Sequence, residues 1–287
     1  MDIGLNYNLD LVEDVNDILT NDFWVFCNFS ASMIPKIEDP LKFTSTVSIF
    51  VKEGECKIEL DLMPYHIKAP CIFNIKQGQI LQCEYFSDDF NSSFIVLSKR
   101  FCDNLLILLK NSPIYGSVSM NQLVSVPTNL LERFNRFYEH MKEIFADSKD
   151  SSSYQAMTLA IASFFYECGT KCYLPALDKI PKGASRLAER FIVMVQQNFK
   201  KERFLDFYAN RLEVSAKHLS RTIKEATGFS AVEWIDRFVI LEAKVLLKAT
   251  NLTIQQIADE LNFNSQSFFG KYFKKHTGTS PKAFRNS

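Results

Sequence analysis

The sequence predicts a multidomain protein, in which a small β-barrel or sandwich with following helices precedes an all-α C-terminal domain containing two helix-turn-helix units. Three observations support this organisation. Residues 44–62 alternate apolar and polar side chains with the period of two that strands show. From about residue 100 the apolar side chains recur with a helical period. Near the C-terminus, one pattern of helix starts and stops occurs twice, 50 residues apart.

The composition is that of an ordinary globular protein. The chain has 287 residues, 47% hydrophobic and 23% charged, which is enough for two domains with cores of their own. The longest apolar runs, such as residues 105–109, are too short to span a bilayer, and residues 1–10 lack the pattern of a secretion signal. Seven scattered cysteines favour reduced thiols over a disulfide framework. We therefore expect a cytoplasmic protein with no membrane partner.

The N-terminal half reads as short strands. Residues 44–51 and 55–62 show period-two alternation, and Gly54 between them suits a tight turn. Further β-rich pieces follow at residues 71–75, 80–86 and 93–97. Several strands so close together predict a small sandwich or barrel. We expect this β-rich domain to occupy residues 1–112.

Helical patterns then replace the strands. Residues 100–109 form a short apolar helix, and residues 129–145 and 154–167 form longer amphipathic ones. The two longer helices either form a dimer seam or pack on the β domain. Prolines and a glycine in residues 174–183 indicate a linker. The expected limits are therefore 113–175 for a helical region that is a candidate for dimerisation, 176–183 for the linker and 184–287 for the last domain.

The second helical unit has the sharper signals. Thr253 and Gln256 match a capping box, which starts a helix. Asn262 interrupts that helix, because Asn tolerates the left-handed backbone of a tight turn. Ser265 starts the next helix, which runs to about His276. Its predicted outer face carries Gln266, Ser267, Gly270, Lys271 and Lys274.

The first unit repeats this plan. A short helix at residues 205–211 carries the small Ala209, where two helices must approach closely. Ser215 is the predicted N-cap of a helix over residues 216–226. Its outer face carries Lys217, Ser220, Arg221 and Lys224. Both units close with Thr-Gly-x-Ser, at residues 227–230 and 277–280.

A single helix at residues 232–248 joins the units and is apolar on nearly every side, so several of its faces must be covered. Its length of roughly 25 Å, together with the flanking bundles, separates the two outer helices by about one duplex turn, roughly 34 Å. Residues 183–287 contain 17 Lys and Arg against 10 Asp and Glu, which leaves 16 against 23 elsewhere. A basic end suits a module that meets phosphate, although an uneven solvated surface explains the charge alone equally well.

Residues 205–285 resemble the AraC/XylS-type transcription regulators. The resemblance rests on Ser215-x-x-x-Leu219-Ser220-Arg221-x-x-Lys224, Thr227-Gly228-Phe229-Ser230, Glu242-Ala243-Lys244-x-Leu246-Leu247, Ile254-x-x-Ile257-Ala258, and Phe263-x-x-x-Ser267-x-Phe269-x-x-x-Phe273-Lys274-Lys275-x-Thr277-Gly278-x-Ser280-Pro281-x-x-Phe284-Arg285. Three positions depart from the family pattern. Asn262 stands where the family usually has Gly, and Val239 stands where an Arg is common. Gly270 has no side chain and so removes a possible contact from the outer face of its helix. We therefore expect the two units to contribute unequally.

The resemblance implies that the second helix of each unit reads the major groove of DNA. It places Lys217, Ser220 and Arg221 of the first unit, and Gln266, Ser267 and Lys271 of the second, at base-reading positions, with Lys224, Lys274 and Lys275 nearer the phosphates. The chemistry suits these roles, because Arg bonds a guanine edge and Gln an adenine edge bidentately. For any single Lys, a solvated outer face is the stronger interpretation.

For the N-terminal half, the resemblance implies a sensing or dimerising domain, commonly cupin-like. His66 and His140 are too few for a metal-binding cupin, so no metal or cofactor is predicted. Cys168 and Cys172, one helical turn apart, are a candidate redox or metal pair, with inert thiols as the stronger interpretation. An aromatic pocket competes with ordinary core packing for Phe43, Phe50, Phe73, Tyr85 and Phe94.

The leading hypothesis is a sequence-specific DNA-binding regulator of transcription that is not an enzyme. Double-stranded DNA is its predicted partner, and RNA polymerase, a small-molecule effector and a second copy of the chain are further candidates. One alternative is a cupin-like enzyme or alkyl-acceptor repair protein fused to a DNA-binding tail. Another is an interaction protein that has lost DNA binding, against which the Lys and Arg of the outer faces argue.

Overall fold

A computed structural model describes residues 22–33, 39–109, 122–146, 152–177 and 184–286. These residues divide into two compact units, one within residues 3–179 and the other mainly within residues 180–287. The strands of the first unit are β1 Phe23–Ser30, β2 Leu41–Lys42, β3 Thr46–Glu53, β4 Glu55–Leu60, β5 Met63–Lys68, β6 Cys71–Ile75, β7 Ile80–Phe86, β8 Asn91–Leu97 and β9 Leu123–Ser125. Its α-helices are α1 Lys99–Leu109, α2 Leu131–Ala146, α3 Ser152–Phe164 and α4 Thr170–Leu177.

The strands form two antiparallel sheets rather than a closed barrel. The larger sheet has the order β1-β8-β3-β6-β9, and the smaller has the order β2-β7-β4-β5. The tight turn predicted at Gly54 is present, with a φ of +74°. It carries the chain from one sheet to the other, because β3 and β4 pair with different neighbours. A Cβ at Gly54 would lie 2.5 Å from Ser87 Oγ, so only glycine fits there.

The larger sheet is covered on both faces, which explains its apolar strands. On one face, Val51 and Phe73 share a core with Ile58 and Leu60 of the smaller sheet. On the other face, Phe50 packs with buried side chains of the helices, among them Phe101, Phe134, Tyr138, Met141 and Met157. Of the two interpretations of the long helices, the structure therefore shows packing on the sheet.

Several boundaries differ from the predicted ones. Strand β9 lies inside residues 113–175, which were expected to be helical, and pairs with β6. The helix predicted at residues 154–167 ends at Phe164, and a π-helix at Phe165–Gly169 follows it. Helix α4 extends to Leu177, inside the segment expected to be a linker, while residues 178–183 of that segment lie outside the described residues. Pairing between distant strands and packing on a sheet override local signals at these places.

The second unit is helical. Its helices are α5 Ala184–Asn198, α6 Leu205–Arg211, α7 Ala216–Thr227, α8 Ala231–Ala249, α9 Ile254–Glu260, α10 Gln266–Thr277 and α11 Pro281–Asn286. Helix α8 has 19 residues, about 28 Å, and residues 238–243 are all buried, as its apolar pattern required. Near the start of the helix, the side chain of Val232 is 48% exposed to solvent. Among the described helices of both units, none is long and apolar enough to cross a membrane.

Candidate nucleic-acid interface

Helices α7 and α10 begin in the same way. The Ser215 hydroxyl accepts a hydrogen bond from the backbone N–H of His218 at 3.2 Å, and the Ser265 hydroxyl accepts one from Phe268 at 3.2 Å. Each serine therefore satisfies one of the N–H groups that a helix start leaves without a partner. The two caps lie 50 residues apart, as the sequence predicts.

The two helices also end in the same way. Gly228 and Gly278 both have a φ of +80°, and each donates its N–H to the carbonyl four residues earlier at 2.9 Å. One residue before each glycine, the hydroxyls of Thr227 and Thr277 donate to the carbonyls of Ile223 and Phe273, at 2.8 and 2.9 Å. These shared bonds confirm that Thr-Gly-x-Ser is a structural repeat and that both helices have the same length.

The turns before these helices share a left-handed residue but differ in length. Glu213 has a φ of 59° and Asn262 a φ of 53°, so Asn262 adopts the conformation predicted for it. The next residue in each turn donates to an alanine carbonyl five residues earlier: Val214 to Ala209 at 3.1 Å, and Phe263 to Ala258 at 2.8 Å. These equivalent turn positions lie 49 residues apart, whereas the caps lie 50 apart. The second turn therefore has one additional residue.

Burial of one face of each helix sets the opposite face outward. Leu219 and Ile223 of α7, and Phe269 and Phe273 of α10, are 0% exposed. Phe263, in the turn before α10, is also buried, so these three phenylalanines belong to the core. Of the nine candidate side chains, Ser220 is half-buried and the remainder are exposed: Lys217, Arg221, Lys224, Gln266, Ser267, Lys271, Lys274 and Lys275. The structure thus brings these residues onto the outward surfaces of α7 and α10.

The two surfaces carry different charges. Arg221 Nε lies 3.8 Å from Glu225 Oε1, one turn further along α7. The position of Glu225 is taken in α10 by Lys275, so that α10 presents three lysines and no carboxylate. Gly270 has open space around it, because an added Cβ would meet nothing within 4 Å. Packing within the chain therefore does not require a glycine there.

Helix α5, which the sequence analysis did not separate from its surroundings, completes the first bundle. Its Phe191 and Val195 are 0% exposed and belong to the same compact unit as α6, α7 and α8. The signal was present in the sequence, because the apolar residues Ala188, Phe191, Val195 and Phe199 recur at spacings of three and four. Helix α7 therefore packs on a third helix outside the helix-turn-helix pair.

Ion pairs brace the joining helix α8 against its neighbours. Lys200 Nζ, just after α5, lies 3.0 Å from Glu242 Oε1 of α8 and 2.8 Å from Glu260 Oε1 of α9. Burial alone lowers the pKa of Lys200, but the charges of the two carboxylates and their hydrogen bonds outweigh burial and raise that pKa. Sequence reasoning did not predict these ion pairs, because Lys200 and Glu260 are 60 residues apart in the chain.

Further contacts hold α10 to α8. The Tyr272 hydroxyl donates to Asp236 Oδ1 at 2.7 Å, and His276 Nε2 lies 3.7 Å from the other oxygen of that carboxylate. Burial, followed by the hydrogen bond to Asp236, raises the pKa of Tyr272 well above its ordinary value. The guanidinium of Arg203 stacks 3.7 Å over the Phe263 ring and donates to the Leu261 carbonyl. Helix α10 is therefore held by a side chain of α8, and the turn before it by Arg203.

Contacts near the start of α8 also hold this helix to α7. Ser230 and Glu233 form a capping box that starts α8. Trp234 Nε1 donates to the Thr227 hydroxyl, at the end of α7, at 2.8 Å. Val239, at the position where the family commonly has Arg, is fully buried, and Arg237 stacks 4.1 Å over Phe229. Helix α8 thus holds both α7 and α10 through side-chain hydrogen bonds.

In the described part of the first unit, the candidate histidines and the Cys168–Cys172 pair do not form a metal site or a reactive thiol. His66 and His140 are solvated histidines, paired with Glu55 and Glu143 at 3.1 and 3.7 Å. Among the described residues, no group of three or more potential ligands lies close enough to hold a metal ion. Cys168 and Cys172 are buried, and burial raises the pKa of the Cys172 thiol to about 12.

The aromatic side chains considered for a pocket do not line one cavity. Phe50 and Phe73 are 1% exposed but lie on opposite faces of the larger sheet. Phe43 and Phe94 pack against the core between the sheets, and Tyr85 is 47% exposed. Core packing is therefore the role of the four phenylalanines.

A match to a protein-family model falls in the second unit. Residues 208–287 match the family model described as a helix-turn-helix domain. The HTH-type transcriptional activator AarP from Providencia stuartii is 33% identical over 103 residues, which cover 36% of this chain and 76% of AarP. The arabinose operon regulatory protein of Escherichia coli is 34% identical over 77 residues, 27% of this chain and 26% of that protein.

The match is partial for longer relatives. The chain spans between 26% and 32% of the length of several curated relatives that it matches. Among solved structures, the C-terminal domain of AraT, a response regulator from Geobacillus stearothermophilus, is 31% identical. That comparison covers 37% of this chain and 88% of the AraT domain, with a TM-score of 0.35.

Proposed function

Because the chain belongs to the AraC/XylS-type family of DNA-binding transcription regulators, we propose that it regulates transcription by binding a specific DNA sequence with α7 and α10 in successive major grooves. The observation that carries this proposal is the repeated geometry of two capped helices, each with a buried side and an exposed cationic side. Helix α8, about 28 Å long, sets their separation near the 34 Å of one duplex turn once the flanking bundles are added.

The exposed side chains divide by chemistry into two roles. Arg221 presents a planar fork that matches guanine, and Gln266 presents an amide that matches adenine, so these two side chains select bases. Lys217, Ser220, Ser267 and Lys271 share those outward surfaces and complete the base-reading set. Lys224, Lys274 and Lys275 stand nearer the helix ends and bind phosphate, which adds affinity without sequence preference.

The two units contribute unequally. Glu225 competes with DNA for Arg221 and repels phosphate, whereas Lys275 attracts phosphate at the equivalent position of α10. The α10 half-site therefore supplies more of the salt-dependent affinity, and the α7 half-site relies more on the guanine contact of Arg221.

The first unit modulates this binding through a small-molecule effector or through association of two copies of the chain, and RNA polymerase is the further partner of the bound regulator. Support for this comes from its organisation as a separate compact unit with its own two cores. Sedimentation of the intact chain on DNA, with and without candidate small molecules, tests both modes.

Selection of bound fragments from a random pool of duplex DNA tests the central proposal. We expect two enriched half-sites whose centres lie about 10.5 base pairs apart, and an affinity that falls steeply with salt. A single enriched half-site would contradict the two-groove mode. Equal retention of all sequences would contradict sequence-specific binding.

The alternative of an alkyl-accepting repair protein needs a thiolate nucleophile. Burial raises the pKa values of the Cys56 and Cys71 thiols to about 12 and that of Cys83 to about 11, which opposes thiolate formation at neutral pH. Mass spectrometry after incubation with alkylated DNA distinguishes the proposals, because stoichiometric transfer of an alkyl group to a cysteine would favour the alternative.

A further inference from the structure

One apolar side chain on the second recognition helix has no role in the core. Phe268 is 57% exposed, whereas its neighbour Phe269 is 0% exposed. Its backbone N–H is held by the Ser265 cap, which places Phe268 third in the first turn of α10. Its ring is tilted against that of Phe263, with the two centroids 6.1 Å apart. The phenyl group of Phe268 is therefore presented to solvent by a fixed backbone.

The surroundings of Phe268 belong to the DNA-facing surface. Gln266 and Ser267 precede it in the same turn, and Lys271 follows three residues later, about one helical turn on, all with exposed side chains. Lys274 and Lys275 add two further exposed cations toward the end of the helix. An apolar ring bordered by cations suits a polyanion with an apolar group in its groove better than it suits an apolar protein surface.

The first recognition helix has a different residue at this place. Fifty residues earlier, the equivalent position holds His218, which is also exposed and whose N–H is held by the Ser215 cap. The backbone geometry is thus repeated while the chemistry changes from imidazole to phenyl. Of the two equivalent positions, only the one in α10 therefore carries a phenyl group.

The major groove offers one apolar group, the 5-methyl of thymine, and the first turn of a recognition helix is the part that reaches the base edges. We propose that Phe268 contacts a thymine 5-methyl group in the half-site bound by α10 and thereby selects a T·A pair at that position. This inference rests on the proposed DNA-binding function and names one of its specificity-determining residues. Contact removes both apolar groups from water, which stabilises the complex with thymine but not with a base lacking the methyl.

The experiment uses the intact chain and the site obtained from random DNA. Each thymine of the site is replaced in turn by deoxyuridine, which removes only the 5-methyl group. We expect one thymine at which the replacement weakens binding about fourfold, because the complex then loses the free energy of burying one methyl group. Phe268→Ala should bind the thymine site more weakly and bind the thymine and deoxyuridine sites equally at that position. Phe268→Leu should restore part of the difference.

Phe204→Ala is the matched control, because Phe204 is 81% exposed and precedes α6, outside both recognition helices. It should keep the full deoxyuridine effect. If no thymine shows the effect, or if Phe268→Ala retains it, the inference is wrong while DNA binding stands. If Phe268→Ala binds both sites like the wild type but loses transcriptional regulation, a protein partner contacts the ring and the inference is again wrong. Failure to enrich any sequence would overturn the proposed function itself.

Discussion

Lys200 Nζ lies 3.0 Å from Oε1 of Glu242, a carboxylate that is 1% exposed in the middle of the joining helix. The same ammonium group lies 2.8 Å from Glu260, so a single side chain links α8 to α9. A buried carboxylate that loses a cationic partner is strongly destabilising. Lys200 is one-third exposed, which places its contribution at the lower end of the range for buried pairs.

We therefore expect Lys200→Met to lower the free energy of unfolding of the C-terminal unit by up to about 3 kcal/mol. Lys201→Met, at an exposed neighbouring position, is the control and should change it little. Urea denaturation followed by circular dichroism measures both. Because the pKa of Lys200 is raised in the folded state, its contribution is fully present at neutral pH and is lost only as the pH rises above 10.5. Equal stability of the two variants would show that the ion pairs of Lys200 contribute nothing to the free energy of unfolding.

Glu213 occupies a left-handed conformation, with a φ of 59°, in the turn between α6 and α7. This conformation costs a residue with a Cβ roughly 1–2 kcal/mol, a cost that glycine avoids. Glu213→Gly should therefore raise the free energy of unfolding by about 0.5–1 kcal/mol after the entropy of glycine is included. Glu189→Gly, inside α5, should lower it by about 1 kcal/mol. Thermal unfolding of both variants shows whether each substitution raises or lowers the free energy of unfolding. A loss of stability in Glu213→Gly would contradict the expectation.

Arg221→Ala should cost sequence discrimination as well as affinity. A bidentate contact to guanine discriminates by about 1–3 kcal/mol, so the loss on the selected site should exceed the loss on random DNA by about five- to a hundredfold. Fluorescence anisotropy with both duplexes measures the two affinities. An equal loss on both would show that Arg221 does not read a base.

Lys274→Ala should weaken binding to all sequences by a similar factor, because a phosphate contact carries no base information. The slope of the logarithm of affinity against the logarithm of salt concentration should become shallower by about 0.9. Lys57→Ala, on the smaller sheet of the other unit, should leave the slope unchanged. An unchanged slope in Lys274→Ala would exclude a phosphate contact.

Glu225→Gln should strengthen DNA binding, since it removes a carboxylate 3.8 Å from Arg221 and a negative charge facing phosphate. For exposed charges we expect an increase of about two- to fivefold at low salt that disappears in concentrated salt. Glu139→Gln, on α2 of the other unit, should have no effect. Weaker binding by Glu225→Gln would indicate that the ion pair positions Arg221 for its base.

The sequence by itself determined the repeated helical units, because their starts and ends are made by bonds between residues two to five positions apart. Ser215, Ser265, Gly228 and Gly278 act through their nearest turn, so their residue types predict the helix limits wherever the rest of the chain lies. The burial of α8 was equally predictable from the sequence, since a helix that is apolar on all sides has to be covered.

Only the tertiary structure decided which distant segments meet. It assigned β3 and β4 to different sheets, added β9 to the larger one and brought Lys200 to Glu242. Such choices depend on burial and charge shared between segments tens of residues apart. No local pattern of residue types specifies them, because many partners satisfy the same apolar face or the same carboxylate until the whole core is packed.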